Sequence, residues 1–403
     1  VLSHTLRALR VPRYPHLLAT GWLWALSRWG VGFLGGYLAR ELSDSARLIQ
    51  LTGVALWAPL LLGGVAGGVI ADRLNRRVAI VAQLLVVAVL ASVLGLVALA
   101  DRLELWMVYP FLVVVGTGWV IDMTCRRTIV YELVGPDTID NAMALESVST
   151  ASSLAAGALV GGAAIEAVGI GAAFGVVAGL MVLALALFLF VPVAGPVPTI
   201  ATGPPGSLAA LRQGVALLRS EPALISVLGV TAAVNFFYFS FTPLVQRFGQ
   251  LLGADAFATG LLASMTGFGM MTGSALVARF QPRRRGLVYL AGSLGAMVLL
   301  IPFTRATTIG VAMFFLLVSG IGMGMFGSTQ GTLVLTAVDD EVRGRAMGLL
   351  STAIGVLPAG MIALGELAEV WGARDAVLAS VLTGIVLCCL WVALWRQVIG
   401  LTA

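Results

Sequence analysis

The side chains of this sequence that can move a proton or hold an ion are few, and they stand where charge is expensive. Arg28 falls in Trp24-Ala25-Leu26-Ser27-Arg28-Trp29-Gly30, about halfway along an apolar stretch. Asp122 and Glu132 lie at the end of another such stretch, and Glu146 lies in the first third of the next. An ionisable group inside hydrocarbon is a functional candidate by default, because exposing it to lipid is costly. On a helix, Arg28 would be ~18–20 Å from either membrane surface, too far to snorkel, so it needs a partner or a water-filled cavity. Glu146 is the acidic residue nearest to it in depth. A carboxylate balanced between burial and a neighbouring guanidinium suits proton coupling; a fixed structural ion pair is the other reading of the same residues. Glu146, Asp122, Glu132 and Arg28 are therefore the proton-coupling candidates.

The elements that must position these groups are membrane helices. Of 403 residues, 59% are hydrophobic and 11% charged, against ~25% charged in a soluble domain. The apolar residues fall into twelve stretches, each long enough to cross ~30 Å of hydrocarbon as a helix. Six precede a Pro/Gly-rich connector: Tyr14 to Leu38, Ala46 to Ile70, Val78 to Leu99, Leu105 to Cys125, Asn141 to Glu166 and Ile170 to Val191. The connector runs from Pro192 to Gly206 and continues as a short amphipathic piece, Ser207 to Arg219, ending at Pro222. Six more follow: Ala223 to Phe248, Ala254 to Phe280, Gly286 to Phe303, Thr308 to Leu335, Ala346 to Trp371 and Asp375 to Trp395. The expected organisation is an N-terminal half over 1–192, a connector over 193–222 and a C-terminal half over 223–403. The first stretch is span-length and has no cleavage-site pattern, so it reads as a retained helix.

Every basic residue is Arg, and seventeen of the 24 flank alternate connections on one side while six flank the other. The positive-inside rule then puts both termini in the cytoplasm, in a multi-pass protein of the cytoplasmic (inner) membrane. Arginines spread over span ends do not form a nucleic-acid patch, so no nucleic acid is expected as a partner. Asn141-Ala142-Met143-Ala144-Leu145 returns as Arg345-Ala346-Met347-Gly348-Leu349, 204 residues on, as expected of duplicated halves around a central path.

Between the second and third spans stands Gly68-Val69-Ile70-Ala71-Asp72-Arg73-Leu74-Asn75-Arg76-Arg77. This resembles the loop signature of the major facilitator superfamily. Asn141 to Leu145, after Arg127 to Pro136, and Asp340-Glu341-Val342-Arg343-Gly344-Arg345-Ala346-Met347-Gly348 resemble its bacterial drug and siderophore exporter branch, macrolide-efflux or enterobactin-exporter-like. The resemblance implies an all-α membrane protein with the major facilitator fold, 12 transmembrane helices in two pseudo-symmetric six-helix halves. It also implies a conformational latch of Gly68, Asp72, Arg73, Arg76, Arg77, Asp122 and Gly344. Gly68 allows close helix approach. The resemblance implies that Asp72 faces the N-terminus of an eleventh helix near Gly344, where negative charge is favourable, and that Arg73 reaches Asp122. Read without the family, Arg76 and Arg77 are positive-inside anchors on a solvated turn.

The implied activity is secondary active export of amphipathic or hydrophobic small molecules by alternating access, with proton antiport. Arg28, Trp24, Trp119, Met123, Asn235, Phe237, Tyr238 and Gln330 are the candidates for the substrate cavity; packing within helix bundles is the alternative for each aromatic and Met. A lipid or lysophospholipid translocase, a metal-ion exporter and a non-transporting receptor or scaffold are the other functions considered. Two histidines, both near the N-terminus, and three cysteines without ligand spacing argue against metal. No phosphate-binding loop follows the glycines of 320–327, so an ATP-driven pump is not expected. The expected partners are membrane lipids, a small-molecule substrate and protons, with no cofactor, no enzyme activity and a monomeric chain.

Overall fold

The computed structural model describes residues 7–73, 75–193 and 216–401, with the backbone alone at 62–73, 140 and 340. The chain is built from α1 (Tyr14–Leu42), α2 (Ala46–Arg73), α3 (Arg76–Leu99), α4 (Leu105–Val134) and α5 (Ile139–Leu189). The second part comprises α6 (Pro222–Ala233), α7 (Val245–Leu251), α8 (Ala256–Phe280), α9 (Arg285–Thr304), α10 (Ile309–Thr336), α11 (Arg343–Ile354), α12 (Leu357–Trp371), α13 (Ala373–Leu394) and the short α14 (Gln397–Gly400). Most of the connector expected over 193–222 lies outside the described residues.

Length and apolarity alone qualify nine described helices as spans. α5 holds two of the expected membrane crossings, because Gly169, at φ 80°, ψ 166°, turns the chain inside its 51 residues. With α1 and α2 the total is twelve. Gly169 ends a Glu166-Ala167-Val168-Gly169 sequence, and Gly372, at φ 80°, ends Glu369-Val370-Trp371-Gly372, 203 residues later. Each turns the chain between what are, in the two halves, the fifth and sixth crossings. A positive φ there is open to glycine and strained for other residues.

Three expected spans differ in their details. α4 continues past Cys125 to Val134, carrying Asp122 and Arg126 as an i,i+4 pair. The seventh crossing is not one regular helix: α6 passes into a π-helical turn, Val234–Tyr238, then a 3-10 segment, Phe239–Leu244, before α7. The eleventh is interrupted between α11 and α12, just before Pro358. Proline cannot donate to the helical ladder, which accounts for the irregularity at Pro358 and at Pro243.

Each half has its own core. Tyr14, Trp24, Phe111, Phe174 and Phe188 anchor the first; Tyr238, Phe241, Phe248, Tyr289 and Phe303 anchor the second. On α3, Ile80, Leu84, Val87 and Ala91 are buried while Leu85, Val89, Val93 and Leu96 are exposed. An outer belt of this kind is costly in water and neutral against lipid. The halves touch where side chains are absent. A Cβ on Gly162 of α5 would lie 2.5 Å from the Ala256 carbonyl oxygen of α8, and one on Gly260 would lie 2.6 Å from that of Ala158. Within the second half, Gly269 and Gly273 of α8 fit against Gly320 and Gly324 of α10 in the same manner.

Candidate functional site

Asp122, one of the sequence candidates, sits in a buried hydrogen-bonded cluster at the Arg-rich end of the first half. Arg126, one turn further along α4, grips it with two N–H groups: Nε donates to Oδ2 at 2.9 Å and Nη2 to Oδ1 at 2.6 Å. Gln83 Nε2 of α3 donates to the same Oδ1 at 3.2 Å, and Arg126 Nη1 donates to the Leu17 carbonyl of α1 at 2.9 Å. Three helices are thereby tied through one ion pair. The guanidinium lies against Gly21, where a Cβ would come within 2.9 Å of Nη1. Glu146 of α5 is within electrostatic reach of this pair and of Tyr14, and its Oε1 is buried without a hydrogen-bond partner.

Arg28 does not pair with Glu146, which corrects the partnership the sequence suggested: α5 lies beside α1 with Gly157 level with Leu26 and Ala142 level with Tyr14, so Glu146 is nearer the Arg-rich end. Among the described residues Arg28 forms no ion pair. It is 3% exposed and enclosed by tryptophan instead, its Cζ 3.9 Å from the ring centroid of Trp119, 4.6 Å from Trp29 and 4.8 Å from Trp57. Such cation–π contacts strengthen when water is excluded. Trp57 and Trp119 meet edge to face at 5.1 Å. One helical turn beyond them toward the Arg-rich end, Leu61 and Met123 are 49% and 36% exposed. Leu61 faces the other half, 3.0 Å from the position of a Cβ on Gly355.

The remaining cavity candidates separate from this site. Trp24 is buried against Gly118 of α4, and Tyr238 is fully buried, sharing a 2.8 Å hydrogen bond with Ser319. Phe237 packs on Gly384 of α13, away from the first half. Trp24 is packed between α1 and α4 in the first core, and the irregular seventh crossing turns Phe237 and Tyr238 into the second. Asn235 Nδ2 donates to the Thr231 carbonyl at 2.9 Å, and Gln330 Nε2 to Thr231 Oγ1 at 3.0 Å, so both amides are held inside the second half.

Of the latch candidates, Gly68, Asp72 and Arg73 lie where side chains are outside the described residues. Glu132 is paired with Arg76, and Arg77 Nη2 donates to the Leu189 carbonyl at 3.1 Å, so these three bind parts of the first half to one another. Gly344 is exposed at the start of α11. The described polar contacts between halves lie at the opposite end of the molecule: Arg47 with Glu366 at 2.7 Å, Arg247 with Asp44 at 3.2 Å, and Ser45 Oγ donating to Glu369 Oε2 at 2.9 Å. Deeper in, Gln50 Nε2 donates to the Ser240 carbonyl and Gln246 Nε2 to that of Phe33.

Residues 17–360 match the Major Facilitator Superfamily. The chain belongs to that superfamily. It is a multi-pass membrane transporter and not an enzyme. Among its superfamily relatives, it is 25% identical over 350 residues to the MFS-type transporter YfiS of Bacillus subtilis (strain 168), covering 84% of this chain and 82% of that protein. Macrolide efflux protein A of Streptococcus pyogenes is 23% identical over 359 residues, covering 84% and 85%. The solved structure of a bacterial homolog of the human lysosomal transporter Spinster, inward-facing and unoccupied, aligns with TM-score 0.75 at 16% identity, over 96% of this chain and 98% of that one. The nucleoside transporter NupG aligns with TM-score 0.69 at 13% identity, over 96% and 99%. At such identities these two establish the superfamily fold alone.

Sequence reasoning missed Trp29, Trp57, Gln83, Arg126 and Thr231. The i,i+4 spacing of Asp122 and Arg126 was a usable signal. Nothing local marked Trp57, which reaches Arg28 from another helix.

Proposed function

We propose that this transporter exports amphipathic small molecules by alternating access, driven by proton antiport, from the cytoplasmic membrane with both termini inside. The observation that carries the reading is the asymmetry between the two ends of the helix bundle. One end is joined across the halves by Arg47, Asp44, Glu366 and Glu369. Toward the other, Arg-rich end, Trp57 and Trp119 give way to the exposed Leu61 and Met123. With the Arg-rich loops inside, the exposed Leu61 and Met123 would meet a molecule arriving from the cytoplasm. An apolar wall with one adaptable Met suits amphipathic cargo. The efflux name of a relative supports the direction. Glu146, with a buried oxygen left without a partner, is the proposed proton carrier.

The test is transport by purified protein in liposomes with an imposed pH gradient, over a panel of amphipathic compounds that includes a macrolide. Gradient-dependent accumulation of at least one compound, abolished by collapsing the gradient, is expected. Equal movement with and without the gradient for every compound would overturn the proton-driven reading.

A further inference from the structure

The bare edge of one guanidinium deepens this reading, on which the inference rests. Arg126 and Arg28 offer the same donor pair, Nε and Nη2, which lie on one side of the planar group and match two oxygens of an acid. In Arg126 that edge holds both oxygens of Asp122. In Arg28 the same two nitrogens are buried and have no hydrogen-bond partner. The surrounding rings of Trp29, Trp57 and Trp119 satisfy the charge without supplying an acceptor, since cation–π contact leaves N–H donors unmade. Buried donors are normally paired, and an exception at a charged group calls for an acceptor that arrives from elsewhere. Two more unpartnered polar atoms lie nearby, Trp24 Nε1 and Gln83 Oε1, whose side chains flank Gly118 beside Trp119.

We propose that Arg28, in its cage of Trp29, Trp57 and Trp119, is the head-group site of the transport path, and that the cargo is an amphipath bearing a carboxylate or phosphate. The acid would take the Nε/Nη2 edge as Asp122 takes that of Arg126, while the apolar body lies on the indole faces and toward Met123 and Leu61. A permanently cationic amphipath is repelled at this site. Arg outperforms Lys in such a role, because only the planar fork engages both oxygens.

Three pyrene probes with a common body distinguish the possibilities: pyrenebutanoate, pyrenebutanol and pyrenebutyltrimethylammonium. Binding to the full chain in nanodiscs is read as energy transfer from Trp to pyrene, corrected with empty nanodiscs. The acid should bind at least about tenfold more tightly than the alcohol, and the cation more weakly still. Arg28→Gln should bring acid and alcohol to parity while alcohol binding survives. Arg28→Lys should leave only part of the preference. Should Arg28→Gln fail to fold, Arg28→Lys carries the comparison. Displacement of bound acid by lysophosphatidate but not by naphthoate would identify a lipid as the source of the acidic group; displacement by naphthoate would identify a soluble acid, and either supports the site. Equal binding of acid and alcohol by the wild type, a preference unchanged by both Arg28 variants, or no saturable binding of any probe would overturn it. Gradient-driven transport with no head-group preference would sink this inference and leave the export reading standing.

Discussion

Glu369 Oε2 accepts the backbone N–H of Arg47 at 3.1 Å, so the last turn of α12 caps the first turn of α2 across the two halves. A carboxylate at a helix N-terminus satisfies an orphan donor and meets the positive end of the helix dipole. Asp72 was expected to perform this task for α11 at the other end. Glu369 joins the two halves at the end opposite the Arg-rich loops.

Glu369→Ala should shift the protein toward outer-open conformations by ~0.5–1 kcal/mol, the low end for a lost cap because the site is exposed. Glu366→Ala should do less, since its pair with Arg47 is solvated on both sides. Asp72→Asn should move the balance the opposite way. Spin-label distances across the outer end measure all three; a Glu369→Ala distribution identical to wild type would remove the lock.

Asp122→Asn leaves the Arg126 guanidinium buried without a counter-charge, a change that costs ~3–5 kcal/mol when a buried pair loses one member. Loss of thermal stability should be large, and replacing both residues by Met and Leu should recover much of it. A stable single variant would show that Gln83 and the Leu17 carbonyl suffice to hold the cluster.

Glu146→Gln should retain cargo binding and gradient-free exchange between vesicle compartments while losing uptake into inside-out vesicles driven by a pH gradient. Binding and exchange do not require net proton movement. Full gradient-driven uptake by this variant would make Glu146 a structural residue and pass the role to another acid or another ion.

Gly162→Val inserts methyl groups where a Cβ already meets the Ala256 carbonyl at 2.5 Å. Separation of α5 from α8 should weaken the outer closure by ~1–3 kcal/mol, the usual cost of overpacking. Cross-linking between cysteines introduced in α5 and α8, in a background lacking Cys125, Cys388 and Cys389, should slow accordingly. An unchanged rate would mean that the contact is not part of the moving interface.

The same cysteine-free background tests the orientation. Single cysteines placed in the Pro192 to Pro222 connector should resist impermeant reagent in intact cells and react after the membrane is opened. Rapid labelling from outside would reverse the topology.

Span number, duplicated layout and superfamily were legible in the sequence because they depend on local quantities: apolar run length and the spacing of Asp72, Arg73, Arg76 and Arg77. Partner choice for buried charge was decided by the tertiary structure. Arg28 and Glu146 were the nearest pair in expected depth. Yet α5 lies beside α1 with Ala142 level with Tyr14 and Gly157 level with Leu26, so Glu146 falls roughly three turns below Arg28. There it stands beside Arg126 and Asp122, while Arg28 meets tryptophans on α1, α2 and α4. Tyr238 and Phe237 stood in the expected seventh span, and the π-helical turn rotated both into packing positions. Position along one helix follows from counting residues; how far two helices slide past each other, and which way a side chain faces, depends on how twelve helices pack, which no single stretch of sequence contains.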